Sequence, residues 1–521
     1  MEINDEDVKY PVGIQNFESL LRDDYVYVDK TALIYRLANT GRYYFLSRPR
    51  RFGKSLLLST LEAYFSGMKK LFKGLAIETL ETKWTVYPVL YLDLNTGKYD
   101  QKEKLDEVLD NYLTYWESLY GTSSSEYSLE IRFKEIIKRA YEKTGQQVVV
   151  LVDEYDKPLL QTITDEQLQT KHRSTLKAFY SVLKTHDKYI KFAFITGVTK
   201  FSKISIFSDL NNLADISMDE KYQTICGITE AEIHEYFEES LNEVAEENEM
   251  SYEETCAQLK LMYDGYHFVE DGTGMYNPFS LLLALRTQKF GSYWFETGTP
   301  SFLVELLRKD DYSLPKLTEE EATGDVLYSI DSLSLSPIPI MYQSGYLTIK
   351  GYDKRFKIYK LGFPNKEVEE GFIKYLVPFY VHIKRNEMSS FFVVNFIKDV
   401  EGGKPEDFMK RMSALMSDTD YKIVGDSELY FQNVFYLIMK MMGFYTTVER
   451  PTSESRMDMI IKTKDYIYIL EFKLDGSAED ALRQIEEKGY AKPFAMDSRK
   501  LFKIGVNFDT KKRSISEWKM V

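Results

Sequence analysis

The sequence predicts an α/β chain whose first half folds as a parallel sheet with helices on both faces. Three observations predict it. Residues 43–46, Tyr43, Tyr44, Phe45 and Leu46, form a short apolar run that passes through Arg48, Pro49, Arg50, Arg51, Phe52, Gly53, Lys54 and Ser55 into a Leu-rich segment, which reads as strand, tight loop, helix. Residues 148–154 are a continuous apolar run ending in Asp153 and Glu154, the form of a buried parallel strand with its polar groups at the carboxyl end. Further apolar runs alternate with helical patterns on either side, as a parallel sheet covered by helices requires.

Taken in order, residues 10–38 combine a small extended piece with a helix that begins near Asp29 and leads into the first strand. They either help hold the base of a nucleotide or pack over the sheet edge. In the loop, backbone N–H groups and the positive end of the helix would face a triphosphate, Lys54 would reach its β and γ phosphates, and the Ser55 hydroxyl would bind Mg²⁺. Arg50, Arg51, Phe52, Gly53, Lys54, Ser55 and Leu56 are accordingly the candidate contacts to ATP. The full spacing GxxxxGK[ST] places glycine where this chain has Arg48, so the loop is degenerate, and a basic turn before an amphipathic helix fits the same letters.

Residues 88–94 read as a second strand, 102–120, 127–144 and 165–186 as helices, and 192–195 as a fourth apolar run leading into Thr196, Gly197, Val198 and Thr199. The additional strand between the loop and the Asp153 strand, with Glu154 directly after Asp153, resembles the P-loop ATPase class that carries its catalytic glutamate on the Walker B strand. That resemblance implies that Asp153 holds Mg²⁺ through water, Glu154 polarises the attacking water, and Thr196 or Thr199 senses the γ-phosphate. Phosphoryl transfer is mostly positioning and charge neutralisation, so these few groups can suffice. The competing reading of Asp153 and Glu154 is a solvated strand end.

At 521 residues the chain exceeds the size at which one core keeps growing, which predicts two to four domains. With 44% apolar and 15% aromatic residues it is expected to be folded throughout. No run of about 18 uncharged apolar residues occurs, and the first residues are acidic where a signal peptide would be basic, so a cytoplasmic protein without a membrane partner is expected. Cys226 and Cys256 lack CxxC spacing and the five His are scattered, which excludes a zinc-thiolate site and a disulfide framework. The net charge of -14 counts against nucleic acid as a partner of the whole surface, but residues 421–521 hold 17 Lys+Arg against 15 Asp+Glu, a local +2.

Residues 228–255 contain 11 Glu and no Lys or Arg, with Thr229 and Glu232 in a capping-box pattern and Ile233, Tyr236, Phe237 and Leu241 as a helical stripe. This predicts an acidic helix in a lid, its charge run a solvated face. His267, among turn signals and aromatics, reads as a packed, hydrogen-bonded residue. From 300 to 420 helices mix with short strands, the clearest within 338–350, and residues 402–405 (Gly402, Gly403, Lys404, Pro405) form a candidate hinge.

The tail carries a second constellation. A strand pattern through Asp458, Met459, Ile460 and Ile461, a turn at 463–465, and a strand through Glu471, Phe472 and Lys473 predict a hairpin-like pair. Side chains two apart share a face, so Glu471 and Lys473 point the same way, with Asp458 near the start of the partner strand. Carboxylates there can hold Mg²⁺ or Mn²⁺, and the lysine can hold or activate a water. An ExK pair is equally ordinary on an exposed strand face.

The strings YFLSRPRRFGKSLLLSTLEAYF, VVVLVDEYDKPL, ITGVTKFSKISIF, YDGYHF and NPFSLL resemble the AAA-ATPase-like family of prokaryotes, in which RPRRFGKS is the usual form of the loop. Asp458, the ExK pair, the Gln484-bearing helix and Tyr490 resemble the PD-(D/E)xK fold that members carry at the C-terminus. Met457 replaces the strict Pro, and Glu428 matches the acidic residue that some members add to the metal site. The resemblance implies a P-loop AAA-ATPase-like domain over 8–226, a helical lid over 227–300, a helical and mixed connector over 301–420, and an α/β PD-(D/E)xK nuclease-like domain over 421–521. It implies ATP and Mg²⁺ as cofactors, Asp458, Glu471 and Lys473 as catalytic groups with Glu428 as a further metal ligand, nucleic acid as partner of the tail, and room for a homo-oligomer. The expected function is an ATP-hydrolysing protein controlling a metal-dependent nuclease, with a role in prokaryotic defence by analogy with the domain pairing. The alternative is a nucleotide-dependent switch or assembly protein whose tail binds nucleic acid or protein without cutting. A kinase-like phosphotransferase fits less well, because Glu154 suits activated water better than an acceptor hydroxyl.

Overall fold

The structure, a computed structural model, describes residues 8–122, 127–201, 207, 210, 212–295, 301–309, 311–318, 320–328, 330, 336–380, 390–417, 427–443, 447–449, 459–512 and 514–521; of 301–302, 309, 328, 390–392, 417, 427–432 and 447–449 it describes the backbone alone. The chain forms two compact units, Met1–Leu303 with Glu320–Glu367, and Val304–Glu319 with Val368–Val521. Residues 320–367 therefore cluster with the first unit and 368–420 with the second.

The first unit is built on a five-stranded parallel sheet of β1 (Tyr43–Ser47), β2 (Val89–Asp93), β3 (Val148–Asp153), β4 (Ile190–Gly197) and β5 (Ala214–Asp215), in the order β2-β3-β4-β1-β5. Every position of β3 is buried, which is why its sequence shows no alternation. β4 lies between β1 and β3, with Leu46 opposite Thr196 and Val152 opposite Ile195. Because all strands run the same way, the ends of β1, β3 and β4 bring the loop, Asp153 and Thr196 to one edge. The helices Lys104–Tyr120, Leu129–Thr144 and Glu166–Thr185 fall where helical periodicity placed them. An antiparallel three-stranded sheet, β6 (Glu320–Thr323), β7 (Thr348–Asp353) and β8 (Ile358–Gly362), completes this unit.

Two local expectations are corrected. The acidic segment holds two helices, Glu230–Tyr236 and Glu238–Glu247, broken at Phe237, whose ring is buried in a core with Ile233 and Leu241, and the start of a third, Tyr252–Tyr263. The capping box at Thr229 and Glu232 is present and starts the first of them. In residues 338–350 the first part is helical, Pro337–Ser344, and only Thr348 onwards is strand. Ser336 caps that helix, Pro337 fixes its first turn and Gly345, at φ +88°, ends it, so these signals outweigh the β-branched run.

The second unit centres on a mixed sheet of β9 (Thr447–Glu449), β10 (Met459–Lys462), β11 (Tyr466–Leu474), β12 (Lys500–Asp509) and β13 (Ser514–Met520), in that order, with only the β11–β12 pair parallel. Ile467 and Ile469 face Ile485 of the helix Ala478–Lys488, whereas Phe472 packs on Phe435 of the helix Ser427–Gly443, at 4.3 Å between ring centroids. Helices on both faces bury the whole middle of β11. Residues 402–404 form the turn between the helices Ser390–Glu401 and Pro405–Ser417, and Pro405 opens the second. Among the described residues no helix is long and apolar enough to cross a membrane.

Candidate functional site

The loop after β1 leads directly into the helix Lys54–Phe65, with Gly53 as its N-cap at φ +89°. The left-handed positions of the loop are Arg51, at φ +67°, and Gly53. Arg48 is not among them, so its backbone makes no demand for glycine, and its side chain turns away to donate to the carbonyls of Ser47 and Ser217. That is the physical reason the degenerate position is tolerated. Lys54 is 4% exposed and donates to the carbonyl oxygens of Arg48 at 3.0 Å and Pro49 at 3.2 Å; its Nζ also lies 3.7 Å from Glu154 Oε1.

Around Asp153 the geometry is tight. The Ser55 side chain hydrogen-bonds to Asp153, the Thr196 hydroxyl donates to Asp153 Oδ1 at 2.7 Å, and the Glu154 N–H donates to the same oxygen at 3.0 Å. Burial, and then the adjacent Glu154 charge, push the Asp153 carboxyl above its ordinary range. Glu154 itself sits at φ +51°, a left-handed conformation that a non-glycine residue adopts against its own sterics. Asp93 ends β2 directly opposite Asp153, and burial raises its carboxyl too.

Ser55 and Glu154 open onto a cleft of about 440 Å³ lined also by Arg50, Arg51, Gly53, Lys54 and Leu56, with Asp153 and Thr196 buried beneath it. Residues 11–15, Asn95, Lys157 and Phe279 complete its walls. Arg51 lies over the Phe279 ring, 4.8 Å from its centroid. Phe52 is not in the cleft wall; its ring lies 4.8 Å from Tyr266 and 5.5 Å from Phe268, and the residue lines a smaller chamber next to the cleft. This smaller apolar chamber of about 100 Å³ adjoins the cleft through Pro11, Gly53, Leu56, Pro278 and Leu282, with Val26, Val28 and Cys226 in its wall. Phosphates against Gly53–Ser55 and a flat apolar base in the smaller chamber match this pair of spaces in chemistry. A hydroxyl hydrogen-bonded to a carboxylate, Ser55 to Asp153, is also an oxygen donor set that suits Mg²⁺.

Thr199 is placed differently from Thr196. Its N–H and its hydroxyl both donate to Asp156 Oδ2 at 2.6 Å, and Val198 N–H donates to Oδ1 at 3.2 Å. Asp156 thus clamps the end of β4 to the segment after β3. It escaped the sequence reading, although a third carboxylate three residues past Asp153 was the available signal. Full burial and then the Glu154 charge raise Asp156 to about 6 against these donors. The folded state therefore keeps this proton where the unfolded chain has lost it, so stability from this group is present below about pH 4 and is lost as pH rises through about 6. In urea melts from pH 4 to 7, the parent should lose roughly 3 kcal/mol relative to Asp156→Asn. Parallel pH profiles for the two chains would refute this.

In the second unit, Glu471 is fully buried on β11, and Lys473, two residues on, brings Nζ to 3.4 Å from Glu471 Oε1. Lys473 also donates to the Gln484 side-chain oxygen on the helix Ala478–Lys488. The helix approaches this closely because Gly505, opposite Glu471 on β12, has no side chain: a Cβ there would meet Ala478 O at 2.2 Å. Asp458 and the side chain of Glu428 lie outside the described residues. Glu471 is the described carboxylate of this set. Among the described residues no group of three His, Cys, Asp or Glu side chains could hold a metal ion.

Fold and sites together define a P-loop ATPase-like unit joined on one chain to a PD-(D/E)XK nuclease-like unit. The sequence profile described as a predicted AAA-ATPase matches residues 11–207, and that of the PD-(D/E)XK nuclease superfamily matches 426–518. The uncharacterized protein in the vnfD 5′ region of Azotobacter chroococcum mcd 1 is 34% identical over 526 residues, spanning 97% of this chain and 98% of that protein. The chain belongs to this AAA-ATPase-like family with a C-terminal PD-(D/E)XK domain. The Aeropyrum pernix ORC2 protein, solved in ADPNP and ADP complexes, aligns with 70% of this chain and 93% of its own at 11% identity, but a TM-score of 0.23 defines no shared fold.

Proposed function

We propose that the first unit binds and hydrolyses ATP and thereby controls metal-dependent cleavage of nucleic-acid phosphodiesters by the second. The observation that carries the first half is the convergence of Lys54, Ser55 and Glu154 on the cleft, Lys54 and Glu154 3.7 Å apart and the buried Asp153 hydrogen-bonded to Ser55 beneath them. Lys54 neutralises charge on the β and γ phosphates, exchanging its Arg48 and Pro49 carbonyl partners for phosphate oxygens. Glu154 orients and polarises the attacking water. Ser55 and Asp153 hold Mg²⁺, which when bound supplies charge neutralisation at the phosphates. Thr196 ties the end of β4 to Asp153, and Thr199 reports on the γ-phosphate through the Asp156 clamp. In the second unit Glu471, Asp458 and Glu428 hold the divalent cation, which supplies Lewis acidity to a phosphodiester. Lys473, oriented by Glu471 and Gln484, holds the attacking water.

The test is Mg²⁺- or Mn²⁺-dependent cleavage of mixed DNA and RNA by the full chain, with and without ATP, beside Asp458→Ala and Lys54→Ala. Cleavage lost in Asp458→Ala and altered by ATP or by Lys54→Ala is the expected result. ATP hydrolysis without cleavage under any condition would favour a nucleotide-dependent switch whose tail binds without cutting.

A further inference from the structure

Behind the phosphate loop, within the first unit, lies another cavity of about 350 Å³ that shares no lining residue with the nucleotide cleft. Among the described residues its walls come from Ser47, Arg48 and Pro49, from Lys200, from Asp215 and residues 217–219, from residues 266–268, from Leu327, and from Tyr342, Gln343, Leu347 and Thr348. Its size is that of a small-molecule site.

Arg48 gives the cavity its chemistry. The residue is 1% exposed, and among the described residues the acceptors of its guanidinium are neutral carbonyls: Ser217 at 2.7 Å, Ser47 at 2.9 Å and Tyr222 at 3.5 Å. One face is covered by the Phe268 ring, 3.9 Å from its centroid, and the Nε–H is buried without an acceptor. Of the two carboxylates in the wall, Asp215 is engaged by Lys200, and Asp219 accepts from the Lys221 N–H at 2.9 Å. Burial accordingly lowers Arg48 to about 10. A buried cation without a paired anion is costly, and an anion from outside the chain removes that cost. Tyr266, Phe268, Tyr342, Met218, Leu327 and Leu347 give the wall flat rings and apolar chains that suit a planar apolar body, and the polar groups of Asp219, His267, Gln343 and Thr348 border it.

We propose that this cavity binds a small aromatic acid, its anionic group accepting from Arg48 and its rings lying against the aromatic wall. Such a ligand touches Arg48 and Pro49, the two residues whose carbonyls hold Lys54, and so stands next to the phosphate loop without entering the cleft.

The probe is 8-anilinonaphthalene-1-sulfonate, an aromatic sulfonate whose fluorescence reports binding, titrated into the full chain. Its partner is N-phenyl-1-naphthylamine, the same ring system without the sulfonate. The sulfonate should bind at least about tenfold more tightly than the neutral amine, as a charge-assisted hydrogen bond implies. Met218→Trp, which fills the cavity from its half-exposed wall, should weaken the sulfonate by about tenfold or more. Equal affinity of the two probes overturns the anionic ligand class, and a Met218→Trp chain that binds the sulfonate unchanged overturns the site. Arg48→Met should abolish the preference for the sulfonate; if that variant does not fold, the probe pair and Met218→Trp decide.

Discussion

Lys54→Ala is expected to lower ATP turnover by at least about a hundredfold, the scale on which removing one preorganised charge-stabilising group acts. The substitution has a second effect that must be separated from the first. In the nucleotide-free chain the ammonium satisfies the buried carbonyls of Arg48 and Pro49, so its loss should also cost about 1–3 kcal/mol of stability. Turnover measured well below the melting temperature of the variant isolates the chemical effect. A variant that hydrolyses ATP within a few-fold of the parent would remove Lys54 from the chemistry and return the loop to a basic turn.

Glu471→Gln should abolish metal-dependent cleavage, with a loss of about a thousandfold or more, because the amide keeps the shape of the side chain and removes the charge that holds a hard cation. The residue is fully buried and sits 3.4 Å from the Lys473 ammonium, so the neutral amide also releases that lysine from its ion pair. Lys473→Ala should give a comparable loss while leaving metal binding intact, which calorimetry with Mn²⁺ can separate from cleavage. If Glu471→Gln cuts as well as the parent, the ExK pair is a structural copy.

The parts of this architecture that repeat a local period were legible in the sequence. The unbroken apolar run of β3 announced a strand buried on both faces, and the ExK spacing placed Glu471 and Lys473 on one face of β11. What the sequence did not carry is contact between distant residues. Nothing near Arg48 says that its guanidinium will reach Ser217 and Phe268, and nothing near Asp156 says that its oxygens will be filled by Val198 and Thr199. The break at Phe237 was hidden for a related reason: the acidic residues favour helix on both sides of it, and only the buried position of its ring shows where the two helices part.

Glu154 holds a left-handed backbone, and this sets stability against activity at one position. Glycine occupies that conformation freely, whereas any side chain there costs about 1 kcal/mol. Glu154→Gly should therefore melt above Glu154→Ala, by roughly the same 1 kcal/mol, while both lose turnover. We propose that the glutamate keeps this conformation, against its own sterics, for the carboxylate it sets beside Lys54.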